Sequence, residues 1–144
     1  MKKYIFLAVA AALIYGYVQE RGVSIPGFSL WTQSSDSTAK KAYNNRQSDV
    51  QVQGEGIVTK ILPDDLEGSR HQRFILGLST GQTLLVAHNT DLAPRVKNLR
   101  TGDTVAFYGE YEWNSKGGVI HWTHHDPNDR HISGWLKHDG KTYQ

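Results

Sequence analysis

The stretch Thr104-Val105-Ala106-Phe107-Tyr108-Gly109-Glu110-Tyr111-Glu112-Trp113 alternates residue by residue between two sets of side chains. The set that we expect to be buried is Val105, Phe107, Gly109, Tyr111 and Trp113. The other set is Ala106, Tyr108, Glu110 and Glu112. Because successive side chains of a strand point to opposite faces, this alternation predicts a strand over Thr104–Trp113. Its outer face then carries Tyr108 and two carboxylates.

Shorter apolar or alternating segments flank this strand, and turn residues separate them. The alternation predicts further strands over Gln51–Leu62, Arg73–Leu78, Thr83–Ala87 and Val119–Thr123. Gly54 and Gly56 interrupt the first of these and predict a bend or a bulge. The longest connection runs from His88 to Thr101, between the third and fourth strands. Asp139-Gly140 is a strong hairpin signal between Trp135–His138 and Lys141–Tyr143.

The fold class that these segments predict is all-β. Five strands with the long connection between the third and the fourth match the strand order of an OB-fold. The segment Leu99-x-x-Gly102-Asp103-x-Val105 is similar to what many OB-type barrels show before their fourth strand. We therefore predict a small five-stranded OB-type barrel with an extra C-terminal hairpin, preceded by an N-terminal apolar helix. The alternatives are another small barrel, or an open sheet with the C-terminal hairpin packed across it.

The chain divides into three segments: residues 1–21, a polar stretch over 22–49, and the strand-rich domain over 50–144. Lys2 and Lys3 precede residues 4–18, which contain no charged or amide side chain and are typical of an export signal. The cleavage site at Ile14-Tyr15-Gly16 is weak, which favours an uncleaved anchor in the bacterial inner membrane, with the domain facing the periplasm or the exterior. The alternative is a cleaved signal peptide and a secreted or periplasmic protein. Residues 22–49 are interpreted as a tether, with a short helix near Ser37–Tyr43.

The charge balance and the absence of cysteine limit the classes of function that the chain can have. The chain has 16 basic and 14 acidic side chains, and without the N-terminal Lys2, Lys3, Glu20 and Arg21 the two numbers are equal at 13. A neutral domain gives no strong signal for nucleic-acid binding. The absence of cysteine excludes disulfides, thiolate zinc sites and a cysteine nucleophile.

Several segments of residues 50–144 together resemble a family of short exported bacterial proteins that is classed as a domain of unknown function. These segments are Gly56–Asp65, Arg70–Phe74, Ala87–Asn89, Gly109–Tyr111 and His121–Pro127. The resemblance spans Val50–Gln144. It implies an envelope protein, and it assigns neither a reaction nor catalytic residues.

Histidines are concentrated at the C-terminus. Five of the seven lie in the last 24 residues: His121, His124, His125, His131 and His138. If Ile120 and Trp122 face inward, His121 faces outward, and a compact hairpin pairs it with Glu110 or Glu112. A carboxylate beside an imidazole raises the imidazole pKa and fixes its tautomer. We therefore predict an acid–base pair of His121 with Glu110 or Glu112. An ordinary surface ion pair is the alternative.

The residues after this strand extend the hypothesis to a metal. If the chain bends back to the same rim, His121, His124, His125 and Asp126 are candidate ligands for Zn²⁺ or Mn²⁺. Their spacing matches no named zinc motif. The alternatives are a hydrogen-bonded histidine network that locks the C-terminal hairpin, and a metal-free binding or acid–base site.

A second set of candidates borders the ligand face that an OB-type barrel would have. The candidate binding residues are Arg70, His71, Arg73, His88, Asn89, Arg95 and Tyr108. Their chemistry suits an oligosaccharide, a nucleotide or another envelope protein. The sequence thus favours a non-catalytic OB-type ligand-binding module in the bacterial envelope. The alternative is a small metal-dependent hydrolase of the phosphodiesterase or nuclease type, which would use the histidine cluster.

Overall fold

The computed structural model describes residues 38–144, which contain one short helix and seven strands. The described chain begins in helix α1, residues 38–44. The strands are β1 Val50–Asp65, β2 His71–Leu78, β3 Thr83–Asn89, β4 Thr104–Glu112, β5 Val119–His121, β6 Trp135–His138 and β7 Lys141–Tyr143. The predicted anchor and most of the predicted tether lie outside these residues. No helix within 38–144 is long and apolar enough to cross a membrane.

The seven strands form one sheet in the order β1-β2-β3-β5-β4-β6-β7, and an additional pairing joins β1 to β4. Five strands therefore close into a ring, and the hairpin of β6 and β7 extends from it. Strand β4 has β1 along one edge, whereas β5 and β6 pair with successive parts of its other edge. The predicted strand-rich fold and the C-terminal hairpin are confirmed.

The core lies inside the ring. Buried residues alternate with more exposed ones along β4 and along its neighbouring strands. Val105, Phe107 and Tyr111 are fully buried, as the alternation predicts. The Tyr111 hydroxyl donates a hydrogen bond of 2.9 Å to the carbonyl of Gly117. Gly118 has a φ of +102°, and a Cβ atom there would lie 2.2 Å from the Tyr111 ring. Only glycine fits at this position of the turn, because any side chain would collide with the buried Tyr111 ring.

The predicted strand over Val119–Thr123, with Trp122 facing inward, is wrong at its end. The strand stops at His121, and Trp122 has a φ of 55°, in the left-handed region. This reversal breaks the alternation, so Trp122 is half-buried instead of lying in the core, whereas Thr123 is buried. Trp113, just beyond β4, is also only partly buried against the core.

Residues 38–49 pack on the strands, although the sequence pattern assigned them to the tether. Ala39 and Ala42 of α1 are buried in the same core as the strands. The Trp113 indole N–H donates to the carbonyl of Tyr43 at 3.2 Å, and the Trp113 backbone N–H donates to the Ser48 hydroxyl at 3.0 Å. The polar composition of this segment concealed the two alanines, whose small side chains allow the helix to approach the sheet closely.

His88, a predicted binding residue, lies in the core with no exposed surface. Its Nδ1 lies 2.8 Å from the Thr123 hydroxyl, and its Nε2 lies 3.0 Å from the carbonyl of Pro94. A neutral ring with the proton on Nε2 satisfies both contacts, because Nε2–H donates to the carbonyl and Nδ1 accepts from the hydroxyl. Burial lowers the pKa of His88 to about 4. The ring holds the β3–β4 connection against the end of β5, and neither nitrogen is left for a ligand.

The buried ring of His88 generates a prediction for acid stability. Its pKa is about 4 in the folded protein and near 6.5 in the unfolded chain, so the unfolded state binds more protons between these values. The stability due to neutral His88 is present above pH 6.5 and is lost as the pH falls toward 4. We expect the free energy of unfolding, measured with urea, to fall on the order of 3 kcal/mol more in the wild type than in His88→Gln.

The control for this experiment is His125→Gln, which removes an exposed histidine. It should show the same acid dependence as the wild type. If His88→Gln loses stability in acid as steeply as the wild type does, proton uptake at His88 is not the cause.

Candidate functional site

The outer face of β4 carries two cross-strand rows of polar and aromatic side chains. Each row contains one residue of β1, one of β4 and one of the strand on the other edge of β4. The rows are Gln51, Glu110, His121 and Gln53, Tyr108, Trp135. Directly paired residues share a face. We call these six side chains the Glu110 face. Gln53 is exposed and the other five are half-buried, so the whole set borders solvent.

The register places His121 beside the carboxylates of β4, where the hydrophobic alternation predicts it. Glu110 is the residue directly opposite His121 in the register. The His121 Nε2 atom lies 3.5 Å from Oε1 of Glu110 and 3.6 Å from Oε2 of Glu112. The two carboxylates differ in exposure, since 17% of the Glu110 side chain is accessible against 60% of the Glu112 side chain. Glu110 is therefore the carboxylate that the fold encloses.

Glu110 also binds a second imidazole, that of His131, which the sequence analysis did not place at this site. The Nε2 atom of His131 donates to Oε2 of Glu110, and its Nδ1 donates to the carbonyl of Ile132 at 2.8 Å. Because both ring nitrogens face acceptors, the doubly protonated imidazolium is the form of the ring that satisfies both contacts. Burial lowers the pKa of His131, but its bonds to Glu110 and Ile132 outweigh that effect and the net shift is upward.

The loop that carries His131 runs between β5 and β6 and is fastened at three places. The Asp126 carboxylate accepts hydrogen bonds from the backbone N–H groups of Asn128, Arg130 and His131, at 3.0, 2.8 and 2.9 Å. The His131 ring stacks on the Trp122 indole, with centroids 4.0 Å apart and an interplanar angle of 9°. Finally, the Gly134 N–H donates to the carbonyl of His124 at 3.0 Å. These contacts bring His131 back to β4.

The four predicted metal ligands are not brought together. The three backbone hydrogen bonds occupy the Asp126 carboxylate and lower its pKa. His124 is buried, and its Nδ1 donates to the carbonyl of His125 at 2.7 Å. His125 itself is exposed. Within residues 38–144, no three His, Asp or Glu side chains are grouped so that they could hold a metal ion. Only His121 of the predicted set lies on the Glu110 face.

Of the predicted binding residues, only Tyr108 lies on the Glu110 face. The others are on or beside the β1–β2 loop and the start of the β3–β4 connection, away from β4. Apart from the buried His88, they are engaged in local pairs: Arg70 with Asp91, His71 with Ser69, Arg73 with Pro63, Asn89 with Asp91, and Arg95 with Asp64. These contacts fasten the loops, and they give no convergent set of free polar groups.

An aromatic pair forms the second half of the Glu110 face. The rings of Tyr108 and Trp135 are 6.1 Å apart between centroids and tilted by 35°. The Lys137 ammonium lies 4.4 Å from the centroid of Trp135, over the ring. Trp135 was not predicted as a site residue. The register of β6 on β4 reveals it, because this register places Trp135 directly opposite Tyr108.

The ion pair between His131 and Glu110 generates a pH prediction. The pKa of His131 is raised in the folded state, so its stabilising effect is complete below the ordinary pKa near 6.5 and is lost as the pH rises through the raised value. We expect Glu110→Gln to lower the His131 pKa, measured by NMR titration of its ring. The same substitution should destabilise the protein by about 1–2 kcal/mol in mild acid, and by less in alkali.

Glu112→Gln is the matched control, because Glu112 lies beside His121 without bonding His131. It should leave the His131 titration unchanged. A His131 pKa that responds equally to the two substitutions would mean that Glu110 is not the specific partner.

Comparison with known proteins agrees with the resemblance read from the sequence. The sequence profile of a family described as "Protein of unknown function (DUF3465)" matches residues 23–144. The match thus begins well before Val50 and includes α1, in keeping with the packing of that helix on the strands. No curated protein matches the chain. Because the match covers most of the chain, the protein belongs to the DUF3465 family.

Proposed function

We propose that this protein is a non-catalytic ligand-binding module of the bacterial envelope, with the Glu110 face as its binding surface. We also propose that the five-stranded ring is an OB-type barrel. The closure of β1 on β4, and the long connection between β3 and β4, support that assignment. The basic and apolar segment over residues 1–21 supports the envelope location.

The observation that carries the binding proposal is the convergence of four strands, β1, β4, β5 and β6, on one outward surface with mixed chemistry. Gln51 and Gln53 supply amides, Glu110 a carboxylate, and Tyr108 and Trp135 aromatic rings. Side chains such as Gln and Glu are mostly exposed in folded proteins. Here five of the six side chains are half-buried, Tyr108 packs beside Trp135, and His121 lies beside Glu110. Such packing holds their polar atoms in place for a partner.

Two polar atoms of this surface make no hydrogen bond within the described chain. They are Nε2 of Gln51 and Nε2 of His121, on either side of Glu110, and the His121 atom has only the longer ionic contacts with Glu110 and Glu112. A buried polar atom without a hydrogen bond costs about 1–3 kcal/mol. Both atoms belong to half-buried side chains at the surface, so a change of rotamer can direct them to a ligand. Their hydrogen-bonding capacity supports a polar ligand beside Glu110.

The state of Glu110 favours binding over catalysis. A general base must be free to accept a proton from a substrate, and its efficiency depends on a pKa near the working pH. The Glu110 carboxylate is already hydrogen-bonded to the His131 ring, so one of its oxygens is engaged within the protein. The group is thus a fixed acceptor for hydrogen bonds. The hydrolase alternative also requires a convergent ligand set, which the described residues lack.

The proposal predicts that a ligand contacts the Glu110 face in the cell. We would replace Gln53 with a diazirine amino acid in the full-length protein, irradiate intact bacteria, and measure the mass of the purified chain. Position 53 is exposed and lies opposite Tyr108, so we expect a covalent adduct there. Trp135→Ala in the same chain should abolish most of the adduct, because it removes the largest ring of the surface.

A diazirine at position 60 is the matched control. Lys60 is also exposed on β1, but it pairs with Ile75 on the opposite side of the ring, where OB-type barrels commonly bind their ligands. Equal adducts at both positions, or an adduct at position 60 alone, would contradict the assignment of the Glu110 face.

A further inference from the structure

We infer that the ligand of the Glu110 face is a neutral oligosaccharide, an inference that rests on the proposed binding function. It is drawn from three properties of the surface. These are its half-buried aromatic rings, the planar polar groups beside them, and the cancellation of charge across the face. The first two properties suit a sugar, and the third separates a neutral oligosaccharide from an anionic nucleotide.

The aromatic pair offers flat apolar surface at the level of the polar groups. Tyr108 and Trp135 are half-buried, with their rings tilted by 35° to each other at 6.1 Å. A pyranose ring has apolar C–H faces and a polar rim of hydroxyls. It can cover an aromatic ring and bury that surface while its rim stays hydrogen-bonded. Two tilted rings side by side offer places for successive sugar units.

The polar groups beside the rings match hydroxyls. Each amide of Gln51 and Gln53 carries one acceptor atom and one donor atom, and the Glu110 carboxylate carries two acceptors. Adjacent hydroxyls of a sugar both donate and accept, so they pair with such two-atom planar groups. The imidazole of His121 adds one further donor or acceptor, according to its tautomer. The first row therefore supplies all types of partner that vicinal hydroxyls need.

The charges on and around this surface cancel. Glu110 is neutralised by the His131 imidazolium, and the nearby groups Glu112 and Lys137 carry opposite charges. A nucleotide or single-stranded nucleic acid needs several cationic groups along its phosphates. Within residues 38–144, Lys137 is the one lysine or arginine with a cation–π or ion-pair contact to the Glu110 face. A neutral ligand is consistent with this balance.

Lys137 lies over Trp135 but does not close the surface. Its side chain is exposed, and its ammonium is 4.4 Å from the ring centroid. A cation–π contact at an exposed site contributes only about 0.5–1 kcal/mol. A sugar that stacks on the indole can therefore displace the ammonium at small cost, and the displaced group can donate to a hydroxyl.

The test uses full-length protein in lauryldimethylamine oxide micelles, because this detergent has no sugar head group. Chitohexaose, cellohexaose and maltohexaose are titrated by calorimetry and by tryptophan fluorescence. A thymidine hexanucleotide is the anionic comparison. We expect at least one glycan to bind, with an affinity that is insensitive to salt. Trp135→Ala should weaken it by about tenfold or more, and Lys60→Ala should leave it unchanged.

Trp135→Phe is the control that separates loss of binding from misfolding, because it keeps an aromatic ring at this position. It should bind with an affinity between those of the wild type and Trp135→Ala, at an unchanged melting temperature. Failure of all three glycans to bind at millimolar concentration would overturn the oligosaccharide inference. So would tighter, salt-sensitive binding of the hexanucleotide. If the adduct at position 53 still forms, the binding module stands with another ligand. If no adduct forms either, both proposals fail.

Discussion

The pairing of β4 along both of its edges is the constraint on which the rest of the described structure depends. Strand β1 pairs with it over residues 104–111, and this contact closes the five-stranded ring. On the opposite edge, β5 pairs with residues 110–112 and β6 with residues 106–108. A slip of one residue would turn Phe107 and Tyr111 out to solvent. Burial of these rings therefore fixes the register of three neighbours, and the same register builds the two rows of the Glu110 face.

Strands β5 and β6 pair with the same edge of β4, so the chain must form a loop between them. This arrangement gives Glu110 two roles. The chain must leave the sheet after His121 and return at Trp135. The chain turns away from the sheet at Trp122, whose backbone is left-handed, and the Asp126 carboxylate holds the loop that follows through backbone hydrogen bonds. Glu110 then holds the loop through His131 and forms part of the proposed binding surface. The position of the loop and the placement of this carboxylate are thereby linked through the contact between His131 and Glu110.

The sequence allowed prediction of the contacts that follow from local alternation. Glu110, Tyr108 and His121 were identified because β4 and β5 are joined by a short turn, so the hydrophobic pattern alone sets their register. Gln51 and Gln53 depend instead on pairing between the first and fourth strands, and no local pattern encodes that register. His131 depends on the caps and the stacking of a loop. Those contacts form only when the loop is folded.

The predicted metal cluster failed to assemble for a local reason. The prediction required His124, His125 and Asp126 to turn back to the rim that carries His121. The positive φ of Trp122 instead sends Thr123 into the core, where its hydroxyl bonds the buried His88. The Asp126 carboxylate accepts hydrogen bonds from backbone N–H groups of its own loop. The concentration of histidines in the sequence therefore indicated the right region. The residues of that region, however, take part in separate sets of hydrogen bonds and do not form one metal site.

The central claim is that β4 and its neighbours present a binding surface on the outside of the ring. NMR chemical-shift mapping during titration with a bound oligosaccharide tests it most directly. The account predicts that the largest changes fall on the indole N–H of Trp135 and the side-chain amides of Gln51 and Gln53. It also predicts that the amides of Ile75 and Leu85, which pair on β2 and β3, do not shift. The reverse pattern, with shifts on β2 and β3 and none on the Glu110 face, would contradict the account.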